Sequence, residues 1–438
     1  MTSETISDDV AEIGTESLNN TPPRKGEKLH NTINHGIDKH IWGIYIGLVF
    51  ISLIELYSAS SREVTEGHIL TPLLRHAVLL GVGCIIMLGL QRVNYLKFYR
   101  LAWPIVILSV VAAIYTLFFG DIINNARRSF SIGFISIQSS ELLKFSAAIL
   151  IARVLSVRHT DQRGRRCIRD RDIYFVAIVV LAFGGLLIKQ GLTNTLLLVV
   201  IALSMMLIAG VRLKKFLIVV CAYAALGAGY WGYTEIKAKL TENDPVEKME
   251  GSTDRSGLRK KRLENFFSNS EKYNDKITSE NQQEQYSFIA QANGGMFGVG
   301  PGNSRETARL PLAFSDYIYA IVIEDSGFVG GLIVMALYLF LLARAGRIAS
   351  QCRRAFPALL VIGMAVFIVY QALFHMAIVS GVFPVSGQPL PFISKGGSSV
   401  IISSVALGIM LSVSRSAPRK NDVETTDDKA MAANLTQL

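Results

Sequence analysis

Six ionisable side chains lie in or beside apolar runs of this chain: Glu55, Glu141, Lys144, Asp316, Glu324 and Asp325. A charge near the centre of a bilayer costs roughly 2.5–3.5 kcal/mol on insertion scales, so such groups face a bundle interior. There they do one of two things. They lock helices together as pairs, or they line a polar cavity that handles charged groups. Glu141 and Lys144 stand three apart on one helical face, so they can pair with each other, or line the cavity. Glu55 lies near the end of its run, where a structural pairing is the simpler reading.

A second feature lies between two apolar runs. Phe383 to Ser399 reads FPVSGQPLPFISKGGSS, with Pro384, Pro389, Pro391, Gly387, Gly396 and Gly397 in one short link. Prolines and glycines at this density do not sit inside a regular helix at low cost. Irregular backbone at a membrane edge is tolerated where protein buries it or water fills a cavity. The stretch therefore reads as a shaped loop at a cavity mouth, carried by Pro391, Ser394, Gly396, Gly397 and Ser398. Lys395 either adds charge to that cavity or snorkels to the interface.

The elements that must position these groups are membrane helices. Half of the 438 residues are apolar and only 18% are charged, against about 25% charged in soluble domains. Ten candidate spans are read at 41–60, 73–90, 101–119, 141–157, 173–188, 193–210, 217–233, 317–341, 357–380 and 393–413. Most approach the ~20 residues needed to cross a bilayer, and 173–188 is short. The expected fold is an all-α polytopic membrane protein with ten transmembrane helices and a long extracytoplasmic loop between helices 7 and 8.

Basic residues set the expected orientation. Sixteen lie on the short links of one side, including Arg158, Arg169, Arg171, Arg212, Arg344 and Arg354, against five on the other. The positive-inside rule then places both termini in the cytoplasm. This bias accounts for the net charge of +10, so nucleic acid is not an expected partner. Residues 1–39 are polar, without a signal-peptide core, and with 416–438 are expected to be disordered cytoplasmic tails around a membrane domain at 40–415. Cys84 and Cys221 lie in spans, and Cys167 and Cys352 in inner links, so no disulfide framework is expected. The histidines lack metal-ligand spacing, and no Walker loop is present.

The long outer loop, 234–312, has two halves. The first carries RSGLRKKRLENFF at 255–267, a pattern suited to an amphipathic segment on a membrane surface. The second carries SFIAQANGGMFGVGPGNS at 287–304. Without a strand–helix context its glycines do not make a dinucleotide loop. A tight, ordered loop over a cavity is expected.

Four motifs, in order along the chain, resemble the SEDS family (the FtsW/RodA/SpoVE proteins of shape, elongation, division and sporulation). They are YSAS at 57–60, NNARRSFSIGFISIQSSELLKF at 124–145, LPLAFSDYIYAIVIEDSGFVGG at 310–331 and the Pro/Gly loop itself. PGNS at 301–304 leans toward the division branch. Departures are clear. QGLTNT at 190–195 has Leu192 where the family has Asp, Ser139 replaces a Pro, Ser386 stands where a basic residue is frequent, and Lys395 stands at a frequent Tyr.

The resemblance implies a ten-helix enzyme that polymerises lipid II into glycan on the outer face of the bacterial cytoplasmic membrane, at the division septum. It implies a class B penicillin-binding protein, an FtsI-like transpeptidase, as partner, with other divisome membrane proteins. The implied chemistry is glycosyl transfer from an undecaprenyl-pyrophosphate donor. It needs a carboxylate as base, worth typically ~10²–10⁴ in rate, and cationic groups or a divalent ion (Mg or Mn) at the pyrophosphate. The family base aligns near Asp275, one residue out of register and without its flanking Pro and Gly-Tyr, with Glu280 and Glu284 as rivals. Arg127, Arg128 and Arg262 are the implied pyrophosphate ligands, since guanidinium grips phosphate oxygens in pairs; headgroup contact is the alternative for the first two. Two other functions fit the same helices: a lipid II flippase, and a non-catalytic scaffold for the transpeptidase. A transporter should spread ionisable groups through the bilayer midplane, whereas these gather toward the outer side.

Overall fold

A computed structural model of the chain describes residues 36–60, 70–123, 126–132, 135–160, 166–188, 190–241, 277–278, 281–310 and 314–417. The helices are α1 (Lys39–Ser60), α2 (Leu70–Leu90), α3 (Tyr95–Phe119), α4 (Ser139–Leu155), α5 (Asp170–Ile188), α6 (Leu192–Ile208), α7 (Leu213–Thr241), α8 (Gln282–Gly294), α9 (Ile318–Gln351), α10 (Ala355–Val379) and α11 (Gly397–Ser416). Each expected span coincides with one helix, and α8 is the additional one. Among the described residues, eight helices are long and apolar enough to cross a membrane. α4 and α6 have 17 residues each, so ten crossings rest on two helices below the usual length. α7 runs to Thr241, so the long loop begins eight residues later than its composition suggests.

The core is built on α4, α10 and α11. α4 buries 14 of its 17 residues, with alanines at 147, 148 and 152 that let neighbours approach closely. α10 and α11 bury 78% and 83% of their apolar windows, whereas α7 buries 6% and faces outward. Turn chemistry sets the boundaries. Asn94 caps α3 by accepting from the Leu96 N–H at 3.0 Å.

The fold is not purely helical. Strands β1 (Asp121–Ile123), β2 (Ala126–Ile132) and β3 (Ile135–Gln138) form an antiparallel sheet that runs directly into α4. Its pairs include Phe130 with Ile137 and Ile132 with Ile135. The alternation of Ser129, Phe130, Ser131 and Ile132 is a period-2 pattern. Phe130 packs edge-on against Tyr115 of α3, 5.6 Å between ring centres. At the opposite, arginine-rich end, the two-residue strands β4 (His159–Thr160) and β5 (Arg166–Cys167) form a hairpin.

That end is closed by a saturated carboxylate. Asp38 accepts from Arg344 Nε at 3.2 and 3.0 Å and from its terminal nitrogen at 2.8 Å. It also accepts from the His40 and Ile41 N–H groups and from Ser414 Oγ. One side chain therefore caps α1 and ties it to α9 and α11. Burial alone would raise the Asp38 pKa, but the Arg344 guanidinium and the two backbone N–H groups hold it below its ordinary value.

Candidate functional site

At the other end, β3 delivers α4 into a buried polar cluster. Glu141 sits in the first turn of α4, where a carboxylate favours the helix N-terminus. It accepts from Gln371 Nε2 of α10 at 3.2 Å and from Ser398 Oγ of α11 at 3.1 Å. Lys144, wholly buried, donates to Asn194 Oδ1 of α6 at 3.0 Å and to Gln388 Oε1 of the Pro/Gly loop at 3.5 Å. The Glu141–Lys144 ion pair that a spacing of three allows is not formed. Amides and hydroxyls from three other helices and the Pro/Gly loop reach the two charged groups instead. α4 thereby holds α6, α10, α11 and the Pro/Gly loop together.

His375 on α10 supports the same loop. Its Nδ1 lies 2.6 Å from the Gln388 carbonyl, which can only accept, so Nδ1 carries the proton. Nε2 is then an acceptor, and it is buried without a partner among the described residues, as is Gln371 Oε1. Gln371, His375, Asn194 and Gln388 were absent from the expected site. Their signal was present as amides and an imidazole within or between apolar spans.

The Pro/Gly loop is shaped, as its composition requires. The buried Pro391 carbonyl accepts from the Tyr338 hydroxyl. Ser394 Oγ accepts from the Leu390 N–H and donates to the Ser315 carbonyl, each at 2.7 Å. Phe392 holds a left-handed φ of 68°, fully buried with its ring edge-on to Tyr45. Gly396 precedes α11 and Gly397 opens it. Lys395 is exposed and does not join the Glu141 cluster. Its N–H donates to the Phe314 carbonyl at 2.8 Å, and its ammonium stands 5.2 Å over the Phe314 ring.

A second cluster gathers the remaining acids. α9 breaks at Gly327, whose φ of 73° suits glycine alone. A Cβ there would strike the Met296 carbonyl, and one at Gly298 would strike that of Asp325. The loop after α8 therefore docks backbone to backbone on the break. Val299 and Gly300 N–H groups donate to the Glu324 and Asp325 carbonyls at 2.9 Å, and Phe328 N–H donates to that of Gly295. This is the tight, ordered loop that the glycines predicted. Glu324 accepts from the Ser304 hydroxyl and from the Arg305 N–H at 3.0 Å. Ser58 of α1 donates to Asp325 and accepts from the Gly302 N–H at 2.7 Å. Glu55 lies one turn below and within electrostatic reach of Asp325. Glu55 is 3% and Asp325 1% exposed, and each keeps one carboxylate oxygen with no hydrogen bond among the described residues. Glu306, in a 3₁₀ turn on the same surface, is raised by burial and opposed by its ion pair with Arg309 at 3.3 Å.

The other expected residues fare unequally. Arg127 and Arg128 lie on β2, Arg127 in register with Ile122; their side chains fall outside the described residues. Asp275, Glu280 and Arg262 lie outside the described residues entirely. Asp316 is half-buried in the turn before α9. No group of three or more His, Cys, Asp or Glu converges among the described residues, so these residues do not build a metal cage.

The fold has known counterparts. A chain of a peptidoglycan synthase complex, solved for the structural coordination of polymerization and crosslinking, superposes with a TM-score of 0.66 at 24% identity, covering 86% of this chain and 98% of that one. The Thermus thermophilus rod shape determining protein RodA gives 0.59 at 23% identity, covering 86% and 97%. Among curated proteins, the probable peptidoglycan glycosyltransferase FtsW of Trichlorobacter lovleyi is 29% identical, covering 84% of this chain and 91% of that protein. Stage V sporulation protein E of Bacillus subtilis is 28% identical, covering 84% and 94%. The family model for cell cycle proteins of the FtsW, RodA and SpoVE type matches residues 38–419, from the Asp38 clamp to the end of α11. A match over that whole helical body, carrying the α4 cluster and the docked loop alike, makes the chain a member of the FtsW/RodA/SpoVE family.

Proposed function

We propose that the chain is a peptidoglycan glycosyltransferase that polymerises lipid II on the outer face of the cytoplasmic membrane during septal wall synthesis. The observation that carries the reading is family membership along the entire membrane body, with relatives named as peptidoglycan glycosyltransferases. The asymmetry of basic residues supports cytoplasmic termini, and so an outward-facing α4 cluster. The peptidoglycan synthase complex, whose polymerization and crosslinking are coordinated, supports a class B penicillin-binding protein as partner.

The described residues suit a positioning role. Glu141 and Lys144 are buried and committed to α6, α10, α11 and the Pro/Gly loop, so neither is free to take a proton from a sugar. They hold the cavity mouth. The 4-hydroxyl of one disaccharide attacks the anomeric carbon of another, its proton passes to a carboxylate, and undecaprenyl pyrophosphate leaves. Asp275, with Glu280 as rival, is the proposed base, and Arg127, Arg128 and Arg262 the proposed pyrophosphate ligands. A divalent ion at the pyrophosphate would take its oxygens from substrate and water, since the described residues offer no cage, and no step is assigned to it.

The test is reconstitution of the full chain with its cognate class B partner and lipid II. Glycan polymer is expected, lost in Asp275→Ala and kept in Glu280→Ala. Polymer unchanged in Asp275→Ala moves the base elsewhere. Lipid II crossing vesicles without polymer would sink the enzyme reading in favour of a flippase.

A further inference from the structure

The arginine-rich end holds a cavity that the glycosyl transfer reading does not use. It has a volume of about 550 Å³ and is lined by Arg169, Arg171, Arg212, His159, Cys167 and Asp170. Three arginines face one aspartate, and that aspartate is already paired with Lys215. The nearby Asp172 stands 3.7 Å from His159 Nε2. Arg158 is withdrawn from the cavity: it donates to the Ala209 carbonyl at 2.7 Å. Arg169 and Arg171 make no side-chain hydrogen bond or ion pair among the described residues, and both are exposed. Among the described residues the lining is therefore more basic than acidic, with Arg169 and Arg171 available to an anion.

Its position restricts what that charge can meet. The lining comes from the β4–β5 hairpin and from the starts of α5 and α7, where two spans enter the apolar layer. The faces leading away from the cavity are apolar and exposed: Tyr174, Phe175 and Ile178 on α5, Leu213 and Leu217 on α7. A soluble anion would use the arginines alone. A lipid would use both, with its phosphate among the guanidinium groups and its acyl chains along the two helices.

We propose that this cavity is a headgroup site for an anionic phospholipid, on the cytoplasmic leaflet in the orientation proposed above. The site requires the chain to span a membrane and does not depend on its glycosyl transfer. A lipid seated there would tie the start of α7, the least buried span, to the hairpin that follows α4.

Cys167 makes the site readable, because it is a free thiol that lines the cavity. In a Cys84→Ser, Cys221→Ser, Cys352→Ser background, the full chain is placed in nanodiscs of phosphatidylcholine alone or doped with phosphatidylglycerol. Alkylation of Cys167 is timed, and retained lipid is counted by native mass spectrometry. Phosphatidylglycerol should slow alkylation and stay bound. The triple variant Arg169→Gln, Arg171→Gln, Arg212→Gln should lose the protection, with affinity falling about fivefold per arginine and about a hundredfold together. Its thermal midpoint in phosphatidylcholine should match the parent, which separates lost binding from lost folding. Equal alkylation in both discs, or protection that survives in the triple variant, overturns the proposal. Protection by inorganic phosphate as strong as that by phosphatidylglycerol overturns it in favour of a soluble anion. Loss of polymerase activity with lipid protection intact would count against the proposed function and leave this site standing.

Discussion

The two ends of the bundle differ in how completely their buried carboxylates are bonded. At the arginine-rich end, Asp38 is saturated by a guanidinium, two backbone N–H groups and a hydroxyl. At the other end Glu141 and Glu324 are bonded on both oxygens, but Glu55 and Asp325, as deeply buried, each keep an oxygen with no hydrogen bond among the described residues. A saturated buried charge is a lock. A buried carboxyl oxygen left without a hydrogen bond is expensive to keep, and the other end carries two among the described residues, beside the broken helix α9. The bundle is thus riveted at one end and left with unspent polar capacity at the end where the family reading puts chemistry.

Breaking the lock should give the largest effect. Arg344→Ala strands Asp38 as an uncompensated buried charge, which costs about 3–5 kcal/mol. Thermal unfolding in detergent should show that loss. Asp38→Asn should lose less, because the amide oxygen still caps α1 and the Arg344 guanidinium it leaves unpaired is 23% exposed, so water partly solvates it. Equal losses in the two variants would mean that the contacts, not the charge, hold that end.

The docked loop gives the next effect. Gly327→Ala forces a left-handed backbone onto a residue with a Cβ and drives that carbon into the Met296 carbonyl. The strain alone costs about 1–3 kcal/mol. Hydrogen exchange should localise the loss to 294–304 and the first turns of α9, with α1 and α11 at the arginine-rich end unchanged. Uniform loosening of the bundle would erase the distinction between the ends.

Much of this was legible in the sequence, for identifiable reasons. A span is a long apolar run, so the ten helices followed from composition, and the Pro/Gly loop from residues that no helix accommodates. The ends of elements were less visible. α7 extends through the mixed segment Thr234–Thr241, and the α9 break lies at one glycine among several. The β-sheet has a fainter signature: Ser129 to Ile132 and Ile135 to Gln138 alternate cleanly, but each paired run is only four residues long. The Glu141–Lys144 pairing failed for a different reason. Helical spacing states which groups can meet, whereas the bundle supplies competitors such as Gln371, Ser398, Asn194 and Gln388, which lie 50 or more residues away. A sequence shows such amides and hydroxyls within apolar spans, but not which charged group each of them meets.

The smallest effect is a pH signature of opposite sign at the two ends. Asp38 has a folded pKa held below its ordinary 3.8. Its contribution is therefore fully present above that value and is lost as pH falls through the lower, folded one. Glu306 is raised above its ordinary 4.5, chiefly by burial. The folded state then binds this proton more tightly than the unfolded chain does. Its contribution is greatest below 4.5 and is lost as pH rises from there through the raised, folded value. Acidification from neutrality should first strengthen the loop-bearing end and only later weaken the clamp. Difference profiles isolate each group from the many others that titrate in the same range. Unfolding midpoints of the parent and Glu306→Gln should diverge as pH rises above 4.5, with the variant gaining, and run parallel below it. Those of the parent and Asp38→Asn should run parallel above 3.8 and converge beneath it. Parallel Glu306 profiles across the whole range would mean that Arg309, exposed as it is, compensates the buried carboxylate fully, and the contrast between the two ends would then rest on Glu55 and Asp325 alone.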